Sequence, residues 1–263
     1  MPMIRVILAA SLLLAGPAAA QAQTEARTAK PTILAIFAHP DDELIVAPAL
    51  ADAAGDGVRV KVVYATRGDA GPGVSDFEKG AELAAAREQE ARCASGALGL
   101  DDPIFLDYGD GTLWQQAQSQ EGAQSPLEAE LRALIAEHDP VTIITWGPDG
   151  GYGHADHRMV HALVAEIVQG MTLGEGAPQL LYPGIPTGTL PPVPELQRWA
   201  TTAPELLSVN AKYDEAELAR AADAVQCYAT QFDAASRAQL VNVFDQSIWQ
   251  GAVHFRRAFG RKD

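Results

Sequence analysis

Apolar and polar residues recur along this chain with two periods, and the switches between them divide it into strands and helices. Residues 32–37, Thr-Ile-Leu-Ala-Ile-Phe, form a short apolar run that predicts a buried strand. Residues 58–65 are β-branched and alternating and predict a second strand; residues 103–106 and 141–146 predict a third and a fourth. Between and after them, helices are predicted over 44–54, 78–98 and 126–137, with another running from the 154–157 region to about residue 169. Residues 206–209 offer one more strand and 214–228 one more helix. Residues 171–204 hold seven of the 17 prolines and are expected to form an irregular cap. The Gln/Ser/Gly-rich stretch 115–125 reads as a surface excursion. Strand–helix alternation of this kind implies an α/β fold, a mostly parallel sheet with helices on both faces. No repeat or domain boundary interrupts residues 32–263, which read as one domain.

The first residues depart from this pattern. Arg5 precedes a run from Val6 to Leu14 that is apolar apart from Ser11, and Gly16-Pro17 lead into small residues ending at Ala20 and Ala22. This is the layout of a secretory signal over residues 1–22, with cleavage after Ala20 or Ala22 and a disordered lead-in over 23–31. The apolar run falls short of the ~20 residues a membrane span needs, so no stable insertion is expected after cleavage. The expected address is exported, periplasmic or secreted. A formal net charge of −15, 34 acids against 19 bases, offers no basic patch and argues against nucleic-acid binding. Cys93 and Cys227 are the only cysteines; they form one disulfide or remain two buried thiols, and cannot build a Cys-based zinc site.

Chemistry concentrates in two clusters. His39-Pro40-Asp41-Asp42-Glu43 follows the first strand, and His154-Ala155-Asp156-His157 follows the fourth after the Gly-rich loop 147–153. Acids at a helix start are ordinarily capping residues. That role does not account for His39, nor for a second cluster at the end of another strand. In a parallel sheet both strand ends lie on one edge, where ligands bind, so the clusters can converge across the 112 residues between Asp42 and His154. Two His and one carboxylate form an established zinc set that leaves a position open to water. His39, Asp42 and His157 are the candidate ligands, Asp41 the unligated base beside them, and His154 the donor to a developing oxyanion.

These motifs resemble the two signatures of the PIG-L/LmbE-like zinc-dependent sugar N-deacetylases. Thr66-Arg67-Gly68-Asp69, Arg87-Glu88-Gln89-Glu90, Gly109-Asp110-Gly111 and Gly150-Gly151-Tyr152 add to the likeness, which covers residues 32–165 and, more weakly, 212–231. Ala155 stands where the family commonly has Pro. The resemblance implies a Rossmann-like, three-layer fold, with His39, Asp42 and His157 binding zinc or another divalent ion such as iron. It implies that Asp41 acts as general base and then protonates the leaving amine, and that Asp156 orients His154. Tyr152 would touch the reacting carbonyl, while Arg87, Asp69 and Asp110 would line the sugar. Plainer roles for two of these are an ion pair along the helix for Arg87 and a turn-shaping role for Asp110. Glu43 is left as a helix-start or supporting residue.

The expected activity is hydrolysis of an N-acetyl group from a small-molecule or glycan substrate carrying an amino sugar. The competing readings are a metal-dependent amidase or phosphoesterase acting on another glycoconjugate, a sugar-binding protein without turnover, and a structural zinc protein. The sequence identifies neither the sugar nor the oligomeric state.

Overall fold

A computed structural model of the chain describes residues 30–118, 124–171 and 177–259. The expected signal at 1–22, and the lead-in as far as residue 29, lie outside these residues.

Among the described residues, seven strands form one sheet in the order β3-β2-β1-β4-β5-β7-β6. They are β1 (Thr32–Phe37), β2 (Arg59–Thr66), β3 (Ile104–Tyr108), β4 (Thr142–Ile144), β5 (Gln179–Pro183), β6 (Val209–Lys212) and β7 (Ala252–Arg257). The five strands from β3 to β5 are parallel, and β7 and β6 add an antiparallel edge. The helices of nine or more residues are α1 (Ala47–Gly55), α2 (Ala81–Leu98), α3 (Pro126–His138), α4 (Ala155–Gln169), α5 (Glu215–Cys227) and α6 (Ala234–Phe244).

β1 is buried on both faces because helices cover both. Its alternate residues serve two cores: Leu34, Ile36 and Ala38 pack with α3 and α4, whereas Ala35 and Phe37 pack with α1, α2, α5 and α6. The three-layer α/β arrangement expected from the sequence is therefore present.

Three expectations are corrected. The Pro-rich span 171–204 contains β5, whose Leu180, Leu181 and Tyr182 are buried in the sheet between β4 and β7. Its brevity and its closing proline hide the strand among loop residues. The late strand lies at Val209–Lys212, after a 3-10 turn at Pro204–Leu206. The first helix opens with a 3-10 turn, Asp42–Val46, and becomes α-helical only at Ala47. Beyond residue 228 the sequence reading had no elements; α6, a π-helical turn at Asp245–Trp249 and β7 occupy that stretch.

Cys93 in α2 and Cys227 at the end of α5 are joined in a disulfide that closes a loop of 134 residues. A cross-link over so long a loop removes much of the unfolded chain's freedom. Replacing both cysteines by Ala is expected to lower stability by about 2–4 kcal/mol in denaturant unfolding. A change below about 0.5 kcal/mol would show that the tether contributes little.

Candidate active site

The sheet order reverses direction at β1, whose neighbours are β2 on one side and β4 on the other. Such a switch point opens a crevice at the carboxyl ends of its strands. His39 to Glu43 leave the end of β1, and His154 and His157 follow β4 at the start of α4. The loop after β3 delivers Asp110 to the same place.

The three expected ligands face one another. His39 Nδ1 lies 3.2 Å from His157 Nε2. Asp42 lies 3.0 Å from His157 Nε2 through one oxygen and 3.7 Å from His39 Nδ1 through the other. A tetrahedral zinc with ~2.0–2.1 Å bonds holds its donors roughly 3.3 Å apart. The hydrogen bonds behind each ring explain why this spacing is notable. His157 Nδ1 bonds the Gly150 carbonyl at 3.1 Å, which puts its proton there and leaves Nε2 a lone pair. His39 Nε2 faces the carboxylates of Asp110 at 3.0 Å and Asp156 at 3.5 Å, so its second nitrogen also points a lone pair inward. Two lone pairs and a carboxylate directed at one point repel unless a cation or a shared proton sits among them. The donor set therefore fits a divalent ion.

Without a metal, the proton takes that place. Burial opposes charge on His39, but Asp110, Asp156 and Asp42 outweigh it and push the imidazole up to about 10. Asp42 moves the other way: burial alone would raise it, but His157, His39 and the His39 N–H hold it well below the usual carboxylate range. Two further sets of donors also come close together, His39 with His154 and His157, and His39 with Asp110 and Asp156. The second set is already committed, because Asp156 accepts from Gly111 N–H at 2.7 Å and Leu113 N–H at 3.2 Å. His154 is the half-buried member of the first, and its Nδ1 caps α4 by accepting from Asp156 N–H at 3.3 Å. Asp156 therefore orients His154 through its main chain, not through its carboxylate. Burial, followed by His39 and His157, keeps His154 below its ordinary value. It is thus a neutral ring with its proton on Nε2.

Asp41 is the exposed member of the first cluster, with 21% of its side chain accessible. It sits in the left-handed region at φ 99°, a conformation that costs a non-glycine residue roughly 1 kcal/mol or more. Two side chains hold it there. Glu43 accepts from Asp41 N–H at 3.2 Å, and Arg87 bonds the Pro40 carbonyl and lies 3.4 Å from the Asp41 carboxylate. Burial, with Asp42 and Glu43 nearby, outweighs Arg87 and brings Asp41 up to about 7.

Glu43 is more than a helix-start residue. It is 1% exposed and accepts from Tyr228 Oη at 2.6 Å and Tyr64 Oη at 2.7 Å. Trp249 Nε1 closes the same turn by donating to the Ile45 carbonyl at 3.0 Å. Sequence spacing gave no sign of these partners, which come from β2 and from the far C-terminal part of the chain.

Arg87, Asp69 and Asp110, expected to contact substrate, are occupied within the protein. Arg87 is 3% exposed and donates to Gly68 O at 3.2 Å and Gly71 O at 3.4 Å instead of pairing along its helix. Asp69 accepts from Asp110 N–H at 3.0 Å, and Asp110 from Ala70 N–H at 3.2 Å. Together they set the loops behind His39 and Asp41.

Tyr152 does line the cleft above Asp41 and Asp42. Burial, with Asp42 and Asp41 close by, pushes its phenol above the ordinary value, so it remains protonated. Arg198 lies over its ring at 4.8 Å. Trp146, at the end of β4, stacks on His157 with ring centres 4.6 Å apart and fixes its plane. A Cβ on Gly151, whose φ is +72°, would lie 2.9 Å from that indole, so the close approach requires glycine. Trp146 was legible only as a strand residue; Trp199 and Arg198 fall in the Pro-rich span, which has no readable period.

The PIG-L family pattern, described as GlcNAc-PI de-N-acetylase, matches residues 34–168. This chain belongs to the PIG-L family. It is 36% identical over 172 residues to the 1D-myo-inositol 2-acetamido-2-deoxy-alpha-D-glucopyranoside deacetylase of Corynebacterium jeikeium, covering 54% of this chain and 51% of that one. The deacetylase of the same name from Mycolicibacterium vanbaalenii is 33% identical over 156 residues, covering 53% and 55%. The matches thus span about half the length of these curated relatives. Among solved structures, the N,N'-diacetylchitobiose deacetylase of Pyrococcus horikoshii aligns with TM-score 0.62 at 18% identity, covering 89% of this chain and 86% of that one. A deacetylase of the teicoplanin biosynthetic pathway aligns at 0.64 and 19%, covering 86% and 97%. The 4-carboxy-2-hydroxymuconate hydratase of Pseudomonas putida aligns at 0.62 and 19%, covering 89% and 98%. At such identities the likeness concerns the fold, which hosts more than one chemistry.

Two outcomes follow. A divalent ion held by His39 would displace its proton, so zinc uptake at pH 7 should release about one proton per ion, and affinity should rise about tenfold per pH unit towards pH 10. Calorimetry in buffers of different ionisation enthalpy measures this; pH-independent affinity would contradict the arrangement. Tyr228→Phe and Tyr64→Phe should each cost about 1–3 kcal/mol, and the double variant should depart from additivity because both serve one carboxylate. Additive losses in chemical unfolding would disconnect the two phenols.

Proposed function

We propose that this protein is a metal-dependent hydrolase that removes the N-acyl group, the N-acetyl group in the simplest case, from an amino-sugar-containing substrate. The observation that carries this reading is the pairing of two unlike sites. Three facing donors suit a divalent cation, and a partly accessible carboxylate with a pKa of about 7 stands beside them. The names of the curated relatives and of two of the structural neighbours, deacetylases, support the amide as the bond and the amino sugar as its bearer.

His39, Asp42 and His157 would hold the ion, zinc in the first instance; the same two-His, one-carboxylate set also suits Fe(II). When bound, such an ion lowers the pKa of a coordinated water towards ~7 and polarises a carbonyl. Asp41 takes the proton of the attacking water, being half-ionised at neutral pH and therefore able both to accept and to give. Water oxygen bonds to the amide carbon and the C–N bond breaks. Asp41 returns the proton to the departing nitrogen, leaving a carboxylic acid and a free amine. His154 Nε2–H and the Tyr152 hydroxyl supply donors to the carbonyl oxygen as charge develops there. Arg87 and Glu43 keep Asp41 in its strained pose and so preserve the angle of transfer.

Work outside the cytoplasm is part of the proposal. The Cys93–Cys227 disulfide supports it, since such bonds persist in oxidising compartments.

Asp41→Asn, purified with its metal content unchanged, should lose at least a hundredfold in kcat, read as acetate and amine release from N-acetylated sugars. Wild-type speed in that variant would remove Asp41 as the base, and inorganic phosphate from a glycoconjugate phosphoester would replace the amide with another bond. The group acts as a base only when ionised, so kcat/KM should climb as pH rises through about 7 and fall off below it. A profile flat from pH 5 to 8, on the order of that window, would contradict the assignment.

A further inference from the structure

Beyond Asp41, Asp42 and Tyr152 the cleft changes character. It encloses about 260 Å3, and much of its lining is apolar: Leu44, Ile45, Phe232, Leu240 and Phe244. Leu44, Ile45 and Phe244 are buried, and Phe232 and Leu240 are partly buried. The only charged side chains lining the rest of the cleft are Glu195 and Arg198, beside Trp199, and Arg198 already lies over Tyr152. A sugar pressed against that wall would leave its hydroxyls without partners, which is costly. A hydrocarbon chain would leave nothing unsatisfied. The apolar wall is continuous with the polar end of the cleft: Leu44 and Ile45 belong to the same 3-10 turn as Asp42 and line the same cleft.

We propose that this wall is an acyl-chain subsite, and that the substrate is an amide between an amino sugar and an apolar acyl group longer than acetyl. The inference rests on the hydrolase reading above and specifies the part of the amide that reading left open. Hydrolysis breaks the C–N bond, adds the water oxygen to the acyl carbon and releases a free amine with a fatty acid. The sugar lies towards the rim formed by Arg198, Glu195 and Trp199, where polar partners exist.

Three probes test this with the metal-loaded protein: N-acetylglucosamine, N-octanoylglucosamine and the octyl glycoside of N-acetylglucosamine. Amine release gives kcat/KM, and the intrinsic fluorescence of Trp146 and Trp199 in Asp41→Asn protein gives binding without turnover. Burial of one methylene multiplies affinity by about three- to fourfold, so even a partly buried chain should favour octanoyl over acetyl by at least tenfold in both readouts. Leu240→Gln and, independently, Phe232→Gln should pull that octanoyl-to-acetyl ratio back towards one. Acetyl hydrolysis with no gain from the longer chain overturns the subsite and leaves the hydrolase reading standing. An equal gain from the octyl glycoside overturns the acyl assignment. Octanoyl-selective binding with no amine from any probe overturns the hydrolase reading and supports the subsite.

Discussion

Three lone-pair donors aimed at one point are the constraint around which this molecule is built. His39 Nδ1, His157 Nε2 and an Asp42 oxygen would drive one another apart in an uncharged pocket. Each is pinned from behind: His39 by Asp110 and Asp156, His157 by the Gly150 carbonyl and the Trp146 face, and Asp42 by the Ala38 and His39 amides at 3.0 and 2.9 Å. A proton on His39 or a divalent ion relieves that repulsion, so the arrangement suits a cation. It also spreads outward. Asp156 grips the chain after β3 through Gly111 and Leu113, so the loops from three strand ends are coupled through one cluster of charges.

The division of labour between neighbouring acids follows from their surroundings. Asp42 is locked between two imidazoles and stays ionised, while Asp41, one residue earlier, is turned towards the cleft and titrates near neutrality. Chain geometry makes the difference, because the left-handed turn at Asp41 points consecutive side chains in different directions. Arg87 provides the counterweight, limiting the rise that burial would otherwise impose.

Much of this was readable in sequence. β1, the first motif and the paired histidines announce themselves because apolar runs and clustered titratable groups are local signals. What escaped was non-local. β5 has only three buried residues, Leu180 to Tyr182, within a Pro-rich stretch, and no period survives in so short a run. Glu43 looked like a helix-start acid because its phenol partners lie 21 and 185 residues away. Arg87, Asp69 and Asp110 were matched to sugar contacts, and the folded loops also bring them main-chain partners that no local pattern announces. The cleft wall draws on the turn after Asp42, the segment at Phe232 and α6, which share no pattern along the chain.

Tyr228 and Trp249 reach back across 185 and 204 residues to seal the turn that carries Asp41. The order in which this chain is made therefore matters to when that turn is fixed. Both histidine-bearing motifs emerge well before Tyr228 and Trp249, and contacts of such sequence separation form late. A chain caught midway through synthesis holds both histidine-bearing motifs without the contacts that fix the turn after Asp41.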